Sequence, residues 1–117
     1  MQHDPRAWLW DVRRPADLTA EFVGDRSFDD YLSDALLRAA VERQLEIVGE
    51  ALNRLAKEAP ALARRIPDLR PAIGTRNILI HGYRDVDHAA IWRTVQHNLP
   101  ALRAEVAVLL EELGEEP

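Results

Sequence analysis

The chain has no cysteine, one methionine and, among its 15 basic side chains, one lysine, Lys57. Without cysteine there is no disulfide framework and no thiolate metal site, so packing alone must hold the fold. Aromatic residues make up 6% of the sequence and glycines number five, and the Asn-Gly or Asp-Gly turns that mark β-hairpins do not occur. No apolar run approaches the roughly 20 residues that a membrane span requires. The start MQHDPRAW also carries no basic stretch ahead of an apolar one, so a cytoplasmic protein is expected.

What is present is the composition of a folded domain: 117 residues, 47% hydrophobic and 30% charged. That length suits one core, and we expect a single domain over 1–117. The net charge of −5 argues against a protein that coats nucleic acid by charge alone. The total conceals an asymmetry, because residues 64–93 hold six arginines against three aspartates, a balance of 6 − 3 = +3 that leaves −8 for the remainder. Arginine suits bidentate phosphate contacts, although surface ion pairs are its commoner use.

The periodicity is helical throughout. Asp4-Pro5 predicts a capped helix start, followed by Trp8, Leu9, Val12, Leu18 and Phe22 as an apolar side that Pro15 should kink or restart. Gly24-Asp25 breaks the pattern and Ser27 caps a long helix, expected from Phe28 to about Lys57. Its apolar residues (Leu32, Ala35, Leu36, Ala39, Leu45, Val48, Leu52, Leu55, with Ile47 and Ala51 beside them) cover more than one stripe. Such a helix is the centre of a bundle, a dimer helix, or both. Gly49 inside it costs about 1 kcal/mol against alanine and is best explained by close helix packing. Glu42, Glu46 and Glu50 form a solvated or interface stripe, with Arg43 and Arg54 placed to pair locally.

A connector with a short helical turn is expected over 59–67. Asp68 should cap a helix ending near Ile80 or His81, with Gly82 as its left-handed stop. Asp87 should cap a last helix carrying Ile91, Trp92, Val95, Leu99, Leu102, Val106, Leu109 and Leu110, kinked near Pro100. His3, His88 and His97 lack partners at metal-ligand spacing, and His88 and His97 read as surface or capping residues.

Within this frame RNILIHGY, residues 76–83, stands out: it places Arg76, Asn77, His81 and Tyr83 in eight residues of an otherwise apolar run. On a straight helix Arg76 and Tyr83 share a face, whereas His81 points about 140° away from Arg76 at ~100° per residue. The groups converge if the helix ends near His81 and Gly82 turns the chain, or if two copies meet across a dimer axis. Beside RNA, a histidine can take a proton from a 2′-hydroxyl near neutral pH, and an arginine can hold the scissile phosphate. Asn77 would orient the histidine or donate to phosphate, and Tyr83 would stack or donate its hydroxyl. On spacing alone, an arginine and a histidine near a helix end read first as cations complementing the helix dipole.

RNILIHGY followed by RDVD and IWRTVQHNLPALRAEV, with RQLEIVGEALNRL upstream, resembles the HepT family of HEPN-type ribonuclease toxins, a likeness running from about Trp8 to Leu113. The resemblance implies an all-α, up-and-down bundle of four to five helices that forms a homodimer, with both motifs facing a shared cleft. It also implies a metal-independent RNA endonuclease with no cofactor, in which Arg76 and His81 are the catalytic pair and Asn77 a supporting polar residue. Such toxins look to be paired with an MntA-type nucleotidyltransferase antitoxin that adds AMP groups to the motif tyrosine, here Tyr83. Two departures accompany the likeness: Pro15 interrupts a helix that relatives keep continuous, and Arg84 stands where an aromatic is common, as a possible further phosphate contact.

A non-catalytic helical module that binds a nucleotide or a protein partner is the alternative for the same residues, and a dimerisation domain whose motif only caps a helix is a third.

Overall fold

The structure is a computed structural model that describes residues 4–81 and 86–114. Among them there is no strand, and the fold is the expected all-α bundle. The helices are α1 (Pro5–Val23), α2 (Phe28–Ser33), α3 (Ala35–Glu58), α4 (Pro60–Ala63), α5 (Leu69–His81), α6 (His88–Arg93) and α7 (Leu99–Leu113). A π-helical turn, Thr94–Asn98, joins α6 to α7 in one irregular rod.

The predicted starts form for the predicted reasons. Asp4 caps α1 by accepting from the Arg6 amide, and Pro5 occupies the first turn, where a missing N–H costs nothing. Ser27 and Asp30 form a reciprocal capping box at α2. Asp87 caps α6 through the amide of Ala90. A short helix, α4, occupies the connector, as expected.

Four details depart from the sequence reading. Pro15 lies buried inside α1 and does not restart it, which removes one of the two outcomes expected there; the carbonyl of Asp11, which loses its helical donor, belongs to an exposed residue and can be hydrated. The long helix expected from Phe28 is split, because Asp34 adopts extended backbone and its carboxylate accepts from the amide of Leu37. Arg38 then donates to the carbonyl of Tyr31 at 3.4 Å and to that of Leu32, covering the open end of α2. Leu32 and Leu36, assigned to the apolar face, are 42% and 81% exposed as a result. Asp68 precedes α5 with φ 61°, a left-handed backbone rather than the extended one usual at a helix cap. Finally, the irregularity expected near Pro100 is a wide turn just before it: the amide of Leu99 bonds the carbonyl of Thr94, five residues back. Pro100 has no N–H to offer Gln96, so the ladder is already interrupted there.

The core is one cluster. Leu9, Val12 and Ala16 of α1, Val41, Val48, Leu52 and Leu55 of α3, and Ile91, Leu102, Val106, Leu109 and Leu110 of the last rod are all fully buried. Each such aliphatic side chain contributes about 1.5–3 kcal/mol relative to exposure. Helix α3 lies at the centre, against α1 on one side and α5 on the other, with α7 on α1. Charged clasps close the margins: Arg103 binds Asp17 at 2.8 and 3.0 Å, Arg65 binds Glu112 and Glu105, and Arg6 donates to the carbonyls of Leu113 and Gly114 at the end of α7.

His88, read as a surface or capping residue, and Glu42, read as part of a solvated or interface stripe, prove half-buried. His88, at the start of α6, stands 3.6 Å from Glu42 of α3 and edge-on to Tyr31. Burial raises the carboxyl pKa of Glu42 above its ordinary value, an effect that nearby His88 and Arg38 oppose. Glu42 is therefore not part of a solvated stripe. No helix among the described residues is long and apolar enough to cross a membrane.

Candidate active site

Helix α5 is the element that carries the motif, and its distance from α3 is set by a missing side chain. A Cβ built on Gly49 would stand 2.2 Å from Cβ of Arg76, 2.9 Å from its Cγ and 3.2 Å from the carbonyl oxygen of Ala72. Real Cβ atoms do not approach so closely, so the glycine expected to permit close packing does so, and the residue it admits is Arg76. On the other side of α5 the hydroxyls of Thr75 and Thr94 meet at 2.8 Å, a buried hydrogen bond that ties the helix to the π turn.

The Arg76 side chain, 26% exposed, turns towards α3. Its Nη2 is 2.8 Å from Oε2 of Glu50, and its Nη1 donates to Oδ1 of Asn77 at 3.0 Å. The second oxygen of Glu50 accepts from Nε of Arg54 at 3.1 Å, so one carboxylate bridges two guanidiniums. Arg54 in turn lies over the ring of Trp8, 5.8 Å from its centroid. Trp8, Glu50, Arg54 and Arg76 border an open cavity of about 630 Å³ between α1, α3 and α5, which Asp11, Arg43, Glu46 and Ile80 also line. The local pairs anticipated for Arg43 and Arg54 form, with Glu46 at 3.4 Å and with Glu50.

His81 is elsewhere. It is the last helical residue of α5 and is exposed, and no turn precedes it that would swing it towards Arg76. Of the two routes to convergence, the one within a single chain would therefore have to involve residues after His81. Gly82, Tyr83, Arg84 and Asp85 lie outside the described residues, so the expected glycine stop, the tyrosine and the possible phosphate contact of Arg84 are not placed. The structure brings together Arg76 and Asn77 from the sequence-derived set and leaves His81 on another face. Large apolar side chains on α5 are also exposed, Ile78 at 39% and Ile80 at 37%.

Glu50 is the participant that sequence reasoning passed over, assigning it to a stripe of acids. A usable signal existed: a glycine inside a long helix needs a close neighbour, and the residue after such a glycine stands beside that neighbour. Among the described residues no three His, Asp or Glu side chains are grouped so as to hold a metal ion.

The chain is thus a helical bundle whose α5 seats Arg76 and Asn77 against the central helix α3 and ends at His81. The family comparison is specific: residues 13–109 match the model of the HepT-like family, described as ribonuclease HepT-like, and the chain belongs to that family. Relatives match it over most of its length. A protein named "Probable ribonuclease HepT" from Thermococcus cleftensis is 33% identical over 105 residues, covering 90% of this chain and 94% of its own. A "Putative RNase" of Methanocaldococcus jannaschii is 31% identical over 108 residues, 92% of this chain and 98% of its own. Another so named from Caldanaerobacter subterraneus is 33% identical over 108 residues, 92% and 96% of the two chains. No solved structure matches.

Proposed function

We propose that this chain is a metal-independent RNA endonuclease and the toxin of a toxin–antitoxin pair, active as a homodimer whose two motifs share a cleft. The observation that carries the reading is the seating of Arg76. A permanently charged guanidinium is held in place at the edge of an open cavity of about 630 Å³, on a helix that ends at His81. Family membership supports the ribonuclease class. Exposed Ile78, one turn before His81 on the same side of α5, offers an apolar contact to a second copy, whereas Ile80 lies across the helix at the Arg76 cavity.

In this reading His81 removes the proton from an RNA 2′-hydroxyl, and the 2′-oxygen attacks the adjacent phosphorus. The bond from phosphorus to the 5′-oxygen breaks, that oxygen leaves with a proton from solvent, and a 2′,3′-cyclic phosphate remains. Arg76 neutralises the charge that builds on the phosphoryl oxygens. Asn77 supports the arginine. DNA lacks the nucleophile and is spared.

Tyr83 is the site at which an MntA-type nucleotidyltransferase partner would add AMP. Each added AMP brings a phosphodiester charge and a nucleoside's bulk, which would occupy the arginine and block the cleft. Arg84 is a further phosphate contact.

The test compares wild type with Arg76→Ala and His81→Ala on labelled RNA in EDTA, with product termini analysed. Cleavage by wild type alone, leaving cyclic phosphate, is expected, with a loss of about 10²–10⁴-fold for the histidine variant. Intact RNA with wild-type protein whose Tyr83 is shown by mass spectrometry to be unmodified would favour the nucleotide- or protein-binding module instead.

A further inference from the structure

We infer that Glu50 is a positioning residue for this reaction, fixing the guanidinium of Arg76 in the orientation it uses on the scissile phosphate; the inference rests on the ribonuclease reading above. Its basis is geometric. An arginine side chain has several rotatable bonds and settles only where its fork is held. Here the stem is confined where Gly49 lacks a side chain, with Cβ and Cγ of Arg76 in the space that a residue-49 Cβ would take. The head is confined by an ion pair with Glu50, Oε2 at 2.8 Å from Nη2, and by Oδ1 of Asn77, which accepts from Nη1 at 3.0 Å. Of the five N–H donors of a guanidinium, one is engaged by Asn77 and one end is drawn to the Glu50 carboxylate by charge, which leaves donors to meet phosphate oxygens.

Glu50 is itself held, which distinguishes it from a mobile surface acid. Its Oε1 accepts from Nε of Arg54, and Arg54 lies against Trp8 of α1. The chain Trp8, Arg54, Glu50, Arg76 thus links the three helices around the cavity and places one negative charge between two positive ones. That trio carries a net charge of +1, while the charged lining of the whole cavity, with Asp11, Arg43 and Glu46, balances at 3 − 3 = 0, so a phosphate would be met by the oriented donors of Arg76 and not by a general positive field. Glu46 is the natural comparison: it lines the same cavity with the same charge but pairs with Arg43 at 3.4 Å.

The experiment measures kcat and KM for RNA cleavage, with melting temperature, in full-length wild type, Glu50→Gln, Glu50→Asp and Glu46→Gln. Glu50→Gln keeps the shape and Glu50→Asp keeps the charge, and the Glu50 side chain is 42% exposed, so both variants are expected to fold and to melt within a few degrees of wild type. The expected result is a fall in kcat of roughly 10- to 100-fold in both, the scale of effect that a misplaced catalytic group produces, with KM changed little in Glu50→Asp. Glu46→Gln is expected to shift KM alone. Wild-type kcat in Glu50→Asp, a kcat raised in Glu50→Gln, or equal kcat losses in Glu50→Gln and Glu46→Gln would each overturn the positioning role while leaving the ribonuclease intact. Failure of wild type to cleave RNA removes the ribonuclease reading, and the inference with it.

Discussion

Gly49→Ala and Gly74→Ala make the same covalent change inside two helices and are expected to act in opposite directions. At position 49 the new methyl meets the Arg76 stem at 2.2 Å, so α3 and α5 must part or Arg76 must leave its seat. Overpacking of this kind costs about 1–3 kcal/mol, more than the helix-propensity gain of about 1 kcal/mol returns. At position 74 nothing lies within 4 Å, so alanine only restricts the unfolded chain and stabilises by about 0.4–1 kcal/mol. Thermal melts should separate the two by several degrees, with cleavage falling in Gly49→Ala and not through melting alone. Equal stabilisation by both would contradict the close approach of the helices. Gly49 illustrates what a sequence can reveal at this scale: an unfavourable residue in a regular helix asks for a neighbour, but the chain does not say which. The partners of Glu50 were hidden for the same reason, since Arg76 lies 26 residues further on, in another element, and a charged stripe looks alike whether it faces water or an arginine.

At the scale of elements, most starts were legible, Asp68 excepted, and the interruptions only in part. Asp4-Pro5, Ser27 and Asp87 each offer a short acceptor just before an apolar pattern, and each caps a helix. Asp34 is the same signal placed inside a pattern whose 3.6-residue rhythm continues across it, so hydrophobic spacing concealed the break between α2 and α3. The π turn was only half legible: Pro100 announced an irregularity, but Val95 and Leu99 keep helical spacing while the hydrogen bonding widens by one residue, so its kind and place were not. Asp34 now has a measurable role. Asp34→Ala removes the acceptor of the Leu37 amide and is expected to cost about 1 kcal/mol, whereas Asp34→Asn, which keeps an acceptor, should cost a few tenths. For a domain of this size that is a drop of roughly 4 °C for alanine, read by melting in parallel. If the two variants melt alike, the charge and not the cap is what position 34 supplies.

At the scale of the whole molecule, one chain holds half of the proposed constellation on each of two faces. Arg76 looks inward to α3, and His81 stands exposed on the last turn of α5, about 140° around a helix that runs straight through the motif. A two-fold axis close to α5 would bring the arginine of one copy towards the histidine of the other, and an isologous dimer does this twice. A mass near twice 13.3 kDa in solution is required first; a monomer at micromolar concentration would end the shared-cleft proposal. The sharper test mixes defects. Co-expressed Arg76→Ala and His81→Ala chains, purified through two different tags, give heterodimers. If the pair forms across the axis, each heterodimer keeps one intact pair, built from the arginine of one chain and the histidine of the other, and loses the second. It should then show about half the wild-type rate, while an unselected equal mixture shows about a quarter, because only half its dimers are mixed. If Arg76 and His81 act within one chain, every protomer in the heterodimer lacks one of the two groups and no activity returns. Recovery of about half the rate would place the catalytic pair across the two copies; none would require the segment after His81 to fold back and unite them within one.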